Sequence, residues 1–326
     1  MSTATVSRVI NNTAFVSPDM AERVRTAITA LRFYPDINAR TLGSGRSGLY
    51  GLIISDITNP YFRELVKAFE DIAVEHNQEV LIANTDYDAQ RMENCVIRML
   101  QRKVDGVAIM TSEMEEHLLQ TFASRSIPLV VVDSESHSLE VDTINLDYDG
   151  ALRSAVDHLV ALGHREIGFI SGPLTLLPAR LRKEAFLQEM HRRELPVRDA
   201  WVVEGNHKVD GGAYAVQQMV QTGRAMPTAI IASNDLTAIG AITALREHGL
   251  RTPEDVSVVG FDGIHLSAHT HPPLTTLLVP REDIAAAAFR TLLQRKEGAA
   301  AGDFSPQSQL VTPTLVVRES TAPPAR

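Results

Sequence analysis

Tyr50-Gly-Leu-Ile-Ile-Ser55 is apolar at nearly every position and is followed by Asp56. A strand with one wet face alternates apolar and polar residues. A short run without alternation reads as a strand covered on both faces, as in a parallel sheet between helices. The same texture recurs at 79–84, 106–110, 128–132, 166–171, 201–204, 229–233 and 256–261. Longer amphipathic runs lie between them, at 61–76, 90–101, 150–162, 179–194, 211–222, 236–248 and 284–295. Such alternation predicts α/β architecture with parallel sheets. The number of units predicts two doubly wound sheets, the second series starting near Asp149, with late strands around 275–279 and 310–317 returning to each sheet. Two such lobes in sequence place a ligand cleft between them, at the carboxyl ends of the strands.

Polar residues gather at those ends: Ser55-Asp56, Thr111, Asp133, Asn234-Asp235 and Asp262, with Arg182 early in a neighbouring helix. One of these alone is a loop or a helix cap; their recurrence in one topological place points to a polar binding site.

The amino-terminal stretch has a different texture. Residues 1–11 read as a short helix with Val6, Val9 and Ile10 on one stripe and small polar residues with Arg8 elsewhere, suited to a DNA major groove. Ser17-Pro18-Asp19 is a helix start, with a cap, a proline at the first position and an acid in the first turn. That helix runs to about Leu31 and is closed by Phe33-Tyr34-Pro35. A further short segment begins at Asp36 and stops at Gly43-Ser-Gly45.

Charge divides the same way. Residues 1–46 hold six arginines (8, 23, 25, 32, 40 and 46) against Asp19, Glu22 and Asp36, a net of +3. The whole chain carries −9, which leaves −12 on the remainder. A basic head on an acidic body fits a DNA-contacting arm on a soluble module, although a solvated basic surface has the same composition. The one cysteine, Cys95, excludes a disulfide framework. No apolar run is long enough to span a membrane and no signal peptide is evident, so the expected location is cytoplasmic.

Several motifs, in fixed order, give the chain a family resemblance. They are Thr5-Val-Ser-Arg-Val-Ile-Asn11, Ala39-Arg-Thr-Leu42, Asn59-Pro-Tyr-Phe62, Lys103-Val-Asp-Gly106, Gly163-His-Arg-Glu-Ile167, Ser233-Asn-Asp235, Pro253-Glu-Asp-Val-Ser-Val-Val-Gly-Phe-Asp262 and Pro273-Leu-Thr-Thr276. The chain resembles the lactose-repressor family of bacterial transcription regulators over almost its whole length, with motifs nearest those of ribose operon and purine repressors. The resemblance implies a periplasmic-binding-protein-like, two-lobed effector domain over 47–320. Its first lobe would take 49–147 plus 279–305, its second 148–278 plus 306–320, and 321–326 would be a tail. A partial helix-turn-helix headpiece with its linker would occupy 1–46, including a hinge helix at 36–43.

It also implies roles. Thr3, Ala4 and Arg8 match base-facing positions, Thr5, Ser7 and Asn11 lie near the DNA backbone, and Asn38, Ala39 and Leu42 belong to the hinge helix, Leu42 as an apolar wedge in the minor groove. Asn59, Tyr61, Phe62, Thr111, Asp133, Arg182, His207, Asn234, Phe261 and Asp262 match ligand-contacting positions. Carboxylates and a guanidinium fork suit neighbouring hydroxyls, and aromatic faces suit the C–H side of a sugar ring. The expected partners are a palindromic operator, a sugar or polyol effector and a second copy of the chain. No cofactor, metal or membrane is expected, and no enzymatic activity.

This chain departs from the family pattern in places. His207 stands where an aromatic stacker is usual, Val279 where glutamine is common, and Thr111 where ribose binders carry an amide. Met1 stands where relatives have valine, and in relatives the first helix of the helix-turn-helix precedes it. Two expectations follow. Either the start is misplaced at an internal GTG codon and the protein is an ordinary repressor, or the reading helix lacks its support and the chain is a sugar sensor without DNA binding.

Three other signals resolve blandly. Gly43-Ser-Gly-Arg-Ser-Gly48 matches a nucleotide-binding glycine pattern but precedes a strand instead of following one, so it reads as linker. His265, His269 and His271 crowd one loop without metal-ligand spacing. Asp235 and Asp262 could pair as glycoside-cleaving carboxylates, but the family resemblance implies ligand binding or capping for both.

Overall fold

The computed structural model describes residues 2–11, 14–33, 46–111, 114–133, 141–223, 225–298 and 305–325. The expected hinge helix, with Asn38, Ala39 and Leu42, lies outside them. The described chain divides into two units, Met1–Gly48 and Leu49–Arg326.

In the first unit, helix α1 spans Thr3–Asn11 and α2 spans Pro18–Leu31. Ser2 serves the start of α1: its Oγ accepts the Thr5 N–H at 3.2 Å and lies 3.0 Å from Thr5 Oγ1. Ser17 is the N-cap of α2, but its side chain makes no capping bond; Pro18 supplies the fixed first turn. Arg32 ends α2 in the left-handed region, φ 47°, so that its N–H and that of Phe33 reach back to carbonyls of the last turn. Val24 is buried, whereas Thr3, Ala4, Ser7 and Arg8 are exposed and Thr5 is half-buried.

The second unit holds two six-stranded sheets. In the first, the strands are β1 (Leu49–Ile54), β2 (Glu79–Asn84), β3 (Gly106–Met110), β4 (Leu129–Val132), β5 (Asp142–Leu146) and β11 (Ser308–Val311). They lie in the order β11-β5-β4-β3-β1-β2, and every pairing is parallel. Helices α3 (Pro60–Glu75), α4 (Ala89–Gln101), α5 (Glu116–Ala123) and α10 (Arg281–Gly298) accompany it.

The second sheet has the order β12-β10-β9-β8-β6-β7. Its strands are β6 (Ile167–Ser171), β7 (Val202–Glu204), β8 (Ala229–Ala232), β9 (Ser257–Asp262), β10 (Thr275–Leu278) and β12 (Thr314–Val316). Only β12, among the described strands, pairs antiparallel. Its helices are α6 (Tyr148–Ala161), α7 (Leu177–Arg192), α8 (Val209–Gln221) and α9 (Asp235–Glu247).

Central strands β1, β3, β4, β6, β8 and β9 are buried almost throughout, as the unbroken apolar runs predict. Edge strands differ: β2, β7 and β11 are half exposed, because one side of each has no neighbouring strand and only partial helix cover.

Three expectations are corrected. β5 carries Asp142, Thr143 and Asn145 and has no apolar run, yet it is a strand. The polar residue that disguises it, Asp142, is buried in a bidentate pair with Arg295, at 2.7 and 2.6 Å. The late region 310–317 is two strands, and β11 joins the first sheet. The lobe boundary expected at 306 therefore falls after Val311, where the chain crosses to β12. Residues 321–325 are not a loose tail, since Ala322 bonds Ser257 through its N–H and carbonyl and His164 through its carbonyl.

The chain thus passes between sheets after β5, after β10 and after β11. All parallel strands end toward one side of each sheet, and those ends meet across a cleft.

Candidate functional site

The cleft encloses about 670 Å³, including its solvent-open mouth. From the first lobe it is lined by Ser55, Asn59, Tyr61, Phe62, Tyr87, Met110, Thr111, Val132, Asp133 and Leu146, and from the second by Tyr148, Leu176, Pro178, Arg182, His207, Asn234 and Asp262. Nine of the ten residues expected to bind ligand line one cavity. Phe261 does not. Its buried ring lies beneath the Arg182 guanidinium, 4.0 Å from ring centroid to Cζ.

Each side chain is placed by simple local chemistry. Asn59 caps α3 by accepting the Tyr61 N–H at 3.0 Å, which sets Tyr61 and Phe62 on the first turn, their rings edge to face at 5.1 Å. Asn234 caps α9 through Thr237 N–H at 2.9 Å, and its amide donates to the His207 carbonyl at 2.9 Å. Both asparagines are therefore caps with only part of their hydrogen-bonding capacity left over. His207 adopts φ 62°, and its Nδ1 lies 3.2 Å from Ser233 Oγ. Burial, with the Arg182 charge adding to it, lowers its pKa to about 3, so the imidazole is neutral at working pH.

Asp133 is largely committed. Its carboxylate accepts the Leu146 N–H at 3.0 Å and the Tyr148 hydroxyl at 2.5 Å, and burial raises its pKa despite those bonds and Arg182. Tyr148 is a polar site residue that sequence reading missed, along with Tyr87 and the aliphatic lining. It begins α6 directly after β5, so recognising β5 as a strand would have put it among the carboxyl-end residues.

Arg182 is buried between Tyr148 and Phe261, donates to the Ser233 carbonyl at 2.5 Å and holds Nη2 3.8 Å from Asp262 Oδ1. Its Nε is buried without a hydrogen-bond partner. A buried guanidinium N–H left unmade costs about 1–3 kcal/mol, so the site favours a ligand oxygen there. Asp262, at φ 101°, is pushed up to about 6 by burial, against the lowering pull of Arg182 and Arg281. Besides this charged corner, the lining includes the aromatic or apolar side chains of Tyr61, Phe62, Tyr87, Met110, Val132, Leu176 and Pro178.

Two expected neighbours stand outside the cavity lining. Asp56 accepts from Thr58 N and Oγ1, a local turn. Asp235 is fully buried and accepts the Ile264 N–H at 2.8 Å and the Thr276 hydroxyl at 2.5 Å. It holds the β9–β10 region together and presents no partner carboxylate to Asp262 in the cleft.

Comparison with known proteins identifies the fold and the family. Residues 1–36 match the model for bacterial regulatory proteins of the lacI family, and residues 156–321 match the periplasmic binding protein-like domain. The chain is 35% identical over 323 residues to the HTH-type transcriptional repressor PurR of Actinobacillus pleuropneumoniae serotype 3, covering 98% of this chain and 95% of that protein. PurR of Haemophilus influenzae strain PittEE is 35% identical over 322 residues, again 98% and 95% of the two chains. Among solved structures, the lac repressor dimer bound to operator and the anti-inducer ONPF superposes with a TM-score of 0.87 at 29% identity, over 99% of this chain and 96% of that one. The CelR–cellobiose complex gives 0.75 at 25% identity, over 98% and 96%. With the amino-terminal helices and the two-sheet unit matched along nearly the whole length, the chain belongs to the lacI family of DNA-binding transcription regulators, with a periplasmic-binding-protein-like ligand domain.

Proposed function

We propose that the cleft binds a sugar or sugar-like polyol and that its occupancy sets the affinity of the protein, as a homodimer, for a palindromic operator. The observation that carries this reading is the Arg182–Asp262 corner. A buried guanidinium with an unpartnered Nε stands beside a carboxylate, and Tyr61 and Phe62 line the same cavity. Adjacent hydroxyls of a pyranose or furanose satisfy such a corner in pairs, and the C–H face of the ring lies on Tyr61 or Phe62. CelR, whose structure is similar, is described in complex with cellobiose, which favours a carbohydrate in this cleft too.

On the DNA side, Arg8 suits bidentate donation to a guanine, and Thr3 and Ala4 face neighbouring bases with Thr5 and Ser7 toward phosphates. The protein acts in the cytoplasm as a repressor, without catalysing a reaction. Ligand closure of the lobes changes operator affinity only through a difference in ligand affinity between the DNA-bound and free states.

The test is titration of the protein on the intergenic DNA of its own operon at fixed salt, with and without a panel of pentoses and hexoses. Arg182→Ala is expected to abolish the response to whichever sugar acts on the wild type while leaving operator affinity unchanged. An Arg182→Ala protein that still responds would show that the effector binds elsewhere.

A further inference from the structure

We propose that Glu64 and Arg281 form a strap between the two lobes that positions Asp262 and couples its lobe to helix α3. Neither residue lines the cleft, and the proposal holds whichever ligand fills it. Glu64 lies on α3, three residues after Tyr61 and so on the same helix face. Its carboxylate receives Arg281 Nη2 at 2.8 Å, and its Oε1 accepts the His265 backbone N–H at 3.0 Å. Arg281 opens α10, just after the chain has left β10. Its guanidinium turns back, with Nη1 donating to the Asp262 carbonyl at 2.5 Å and Nη2 to the Gly263 carbonyl at 2.9 Å. One fork therefore holds a carboxylate of the first lobe and two consecutive carbonyls of the second.

Those carbonyls belong to a turn that needs holding. Asp262 has φ 101° and Gly263 φ 66°, so a non-glycine residue sits in backbone space that L-residues avoid. Asp235 fixes the turn from the sheet side through Ile264 N–H, and Arg281 fixes it from the other lobe. A relaxed turn would swing the Asp262 carboxylate away from Arg182. The strap also reaches the aromatic wall, with Arg281 Cζ 6.0 Å from the Tyr61 ring centroid. Lysine could not replace this arginine, because one ammonium cannot span three acceptors in a planar fork.

The charged groups facing Asp262 are Arg182, Arg281, Glu64 and Asp235. Arg281 stabilises the ionised Asp262 and Glu64 destabilises it. Their removal should thus move its titration in opposite directions while loosening the same turn.

The experiment is amide hydrogen exchange on the full-length protein, wild type against Arg281→Gln and Glu64→Gln, with the Asp262 carboxyl titrated by NMR. Arg281→Gln makes no direct change at the His265 N–H. It is nevertheless expected to speed exchange in segment 263–267 and in the first turn of α3 by about tenfold, with β6 and β8 as protected as in the wild type. Glu64→Gln should speed the same two segments. The Asp262 midpoint should rise in Arg281→Gln and fall in Glu64→Gln, a sign difference that general loosening does not produce. Wild-type exchange at segment 263–267 in Arg281→Gln, or midpoints moving the same way, overturns the strap. If Arg281→Gln does not fold, Glu64→Gln decides alone: unchanged exchange in both segments refutes the proposal.

Discussion

Gly172 lacks a side chain because the His207 ring occupies its place: a Cβ there would meet His207 Nε2 at 2.0 Å. Gly172→Ala must push that ring off the cleft wall, with an expected cost of about 1–3 kcal/mol in urea unfolding and weaker ligand binding. His207 also makes a pH prediction. Folded, its pKa is lowered to about 3 from an ordinary 6.5. The unfolded chain therefore takes up a proton that the folded one refuses. Its contribution to stability is full above pH 6.5 and is lost as pH falls toward 3. Asp262 acts in the opposite sense. Its pKa is raised to about 6 from 3.8, so the folded state holds the proton longer and the burial penalty is relieved as pH falls through that window. Calorimetry at pH 7.5 and 5 is expected to show His207→Gln losing about 1–2 kcal/mol less than the wild type on acidification. An equal loss would mean that His207 takes up its proton without unfolding.

At the scale of elements, β5 shows how a strand can be held by a charge. Asp142 binds Arg295 of α10 in bidentate fashion and also accepts the Gln307 N–H at 2.8 Å, just before β11. One carboxylate thereby joins a helix, a strand and the approach to the sheet edge. Asp142→Ala takes the carboxylate away from Arg295, itself mostly buried. Breaking such a pair costs about 3–5 kcal/mol, to be read as a lower Tm with β11 amides losing protection first. The helices of the headpiece follow local rules more closely. Pro18 starts α2, and the left-handed Arg32 ends it.

At the scale of the whole molecule, function depends on a ligand in one unit altering how another unit binds DNA. For operator binding, the wedge assignment gives a sharp expectation. Leu42→Ala should weaken specific binding by about tenfold or more, since unstacking is worth a few kcal/mol, while binding to random DNA at the same salt stays near the wild-type value. Equal loss on both DNAs would remove the wedge role. Symmetry enters here as well: a two-fold dimer matches two half-sites, and no single reading helix supplies that spacing.

The sequence by itself determined the α/β class, the two series of units and nearly all the central strands, because strands covered on both faces must be apolar throughout. Polar residues at strand ends, Thr111, Asp133, Asn234 and Asp262, line the cleft as expected, since parallel strands end together, whereas Asn59, Tyr61, Phe62 and His207 were expected there from the family resemblance. Tertiary structure alone decided the rest. β5 escaped notice because its burial depends on Arg295, 153 positions away. Tyr148 escaped with it. Phe261 lies against the Arg182 guanidinium and outside the cavity lining, a packing that only the folded chain shows. The Glu64–His265 bond, 201 positions apart, and the Arg281 fork have no local signature. Periodicity records which side of an element is dry. It does not record which distant partner satisfies a buried charge, and that choice is made only when the lobes pack.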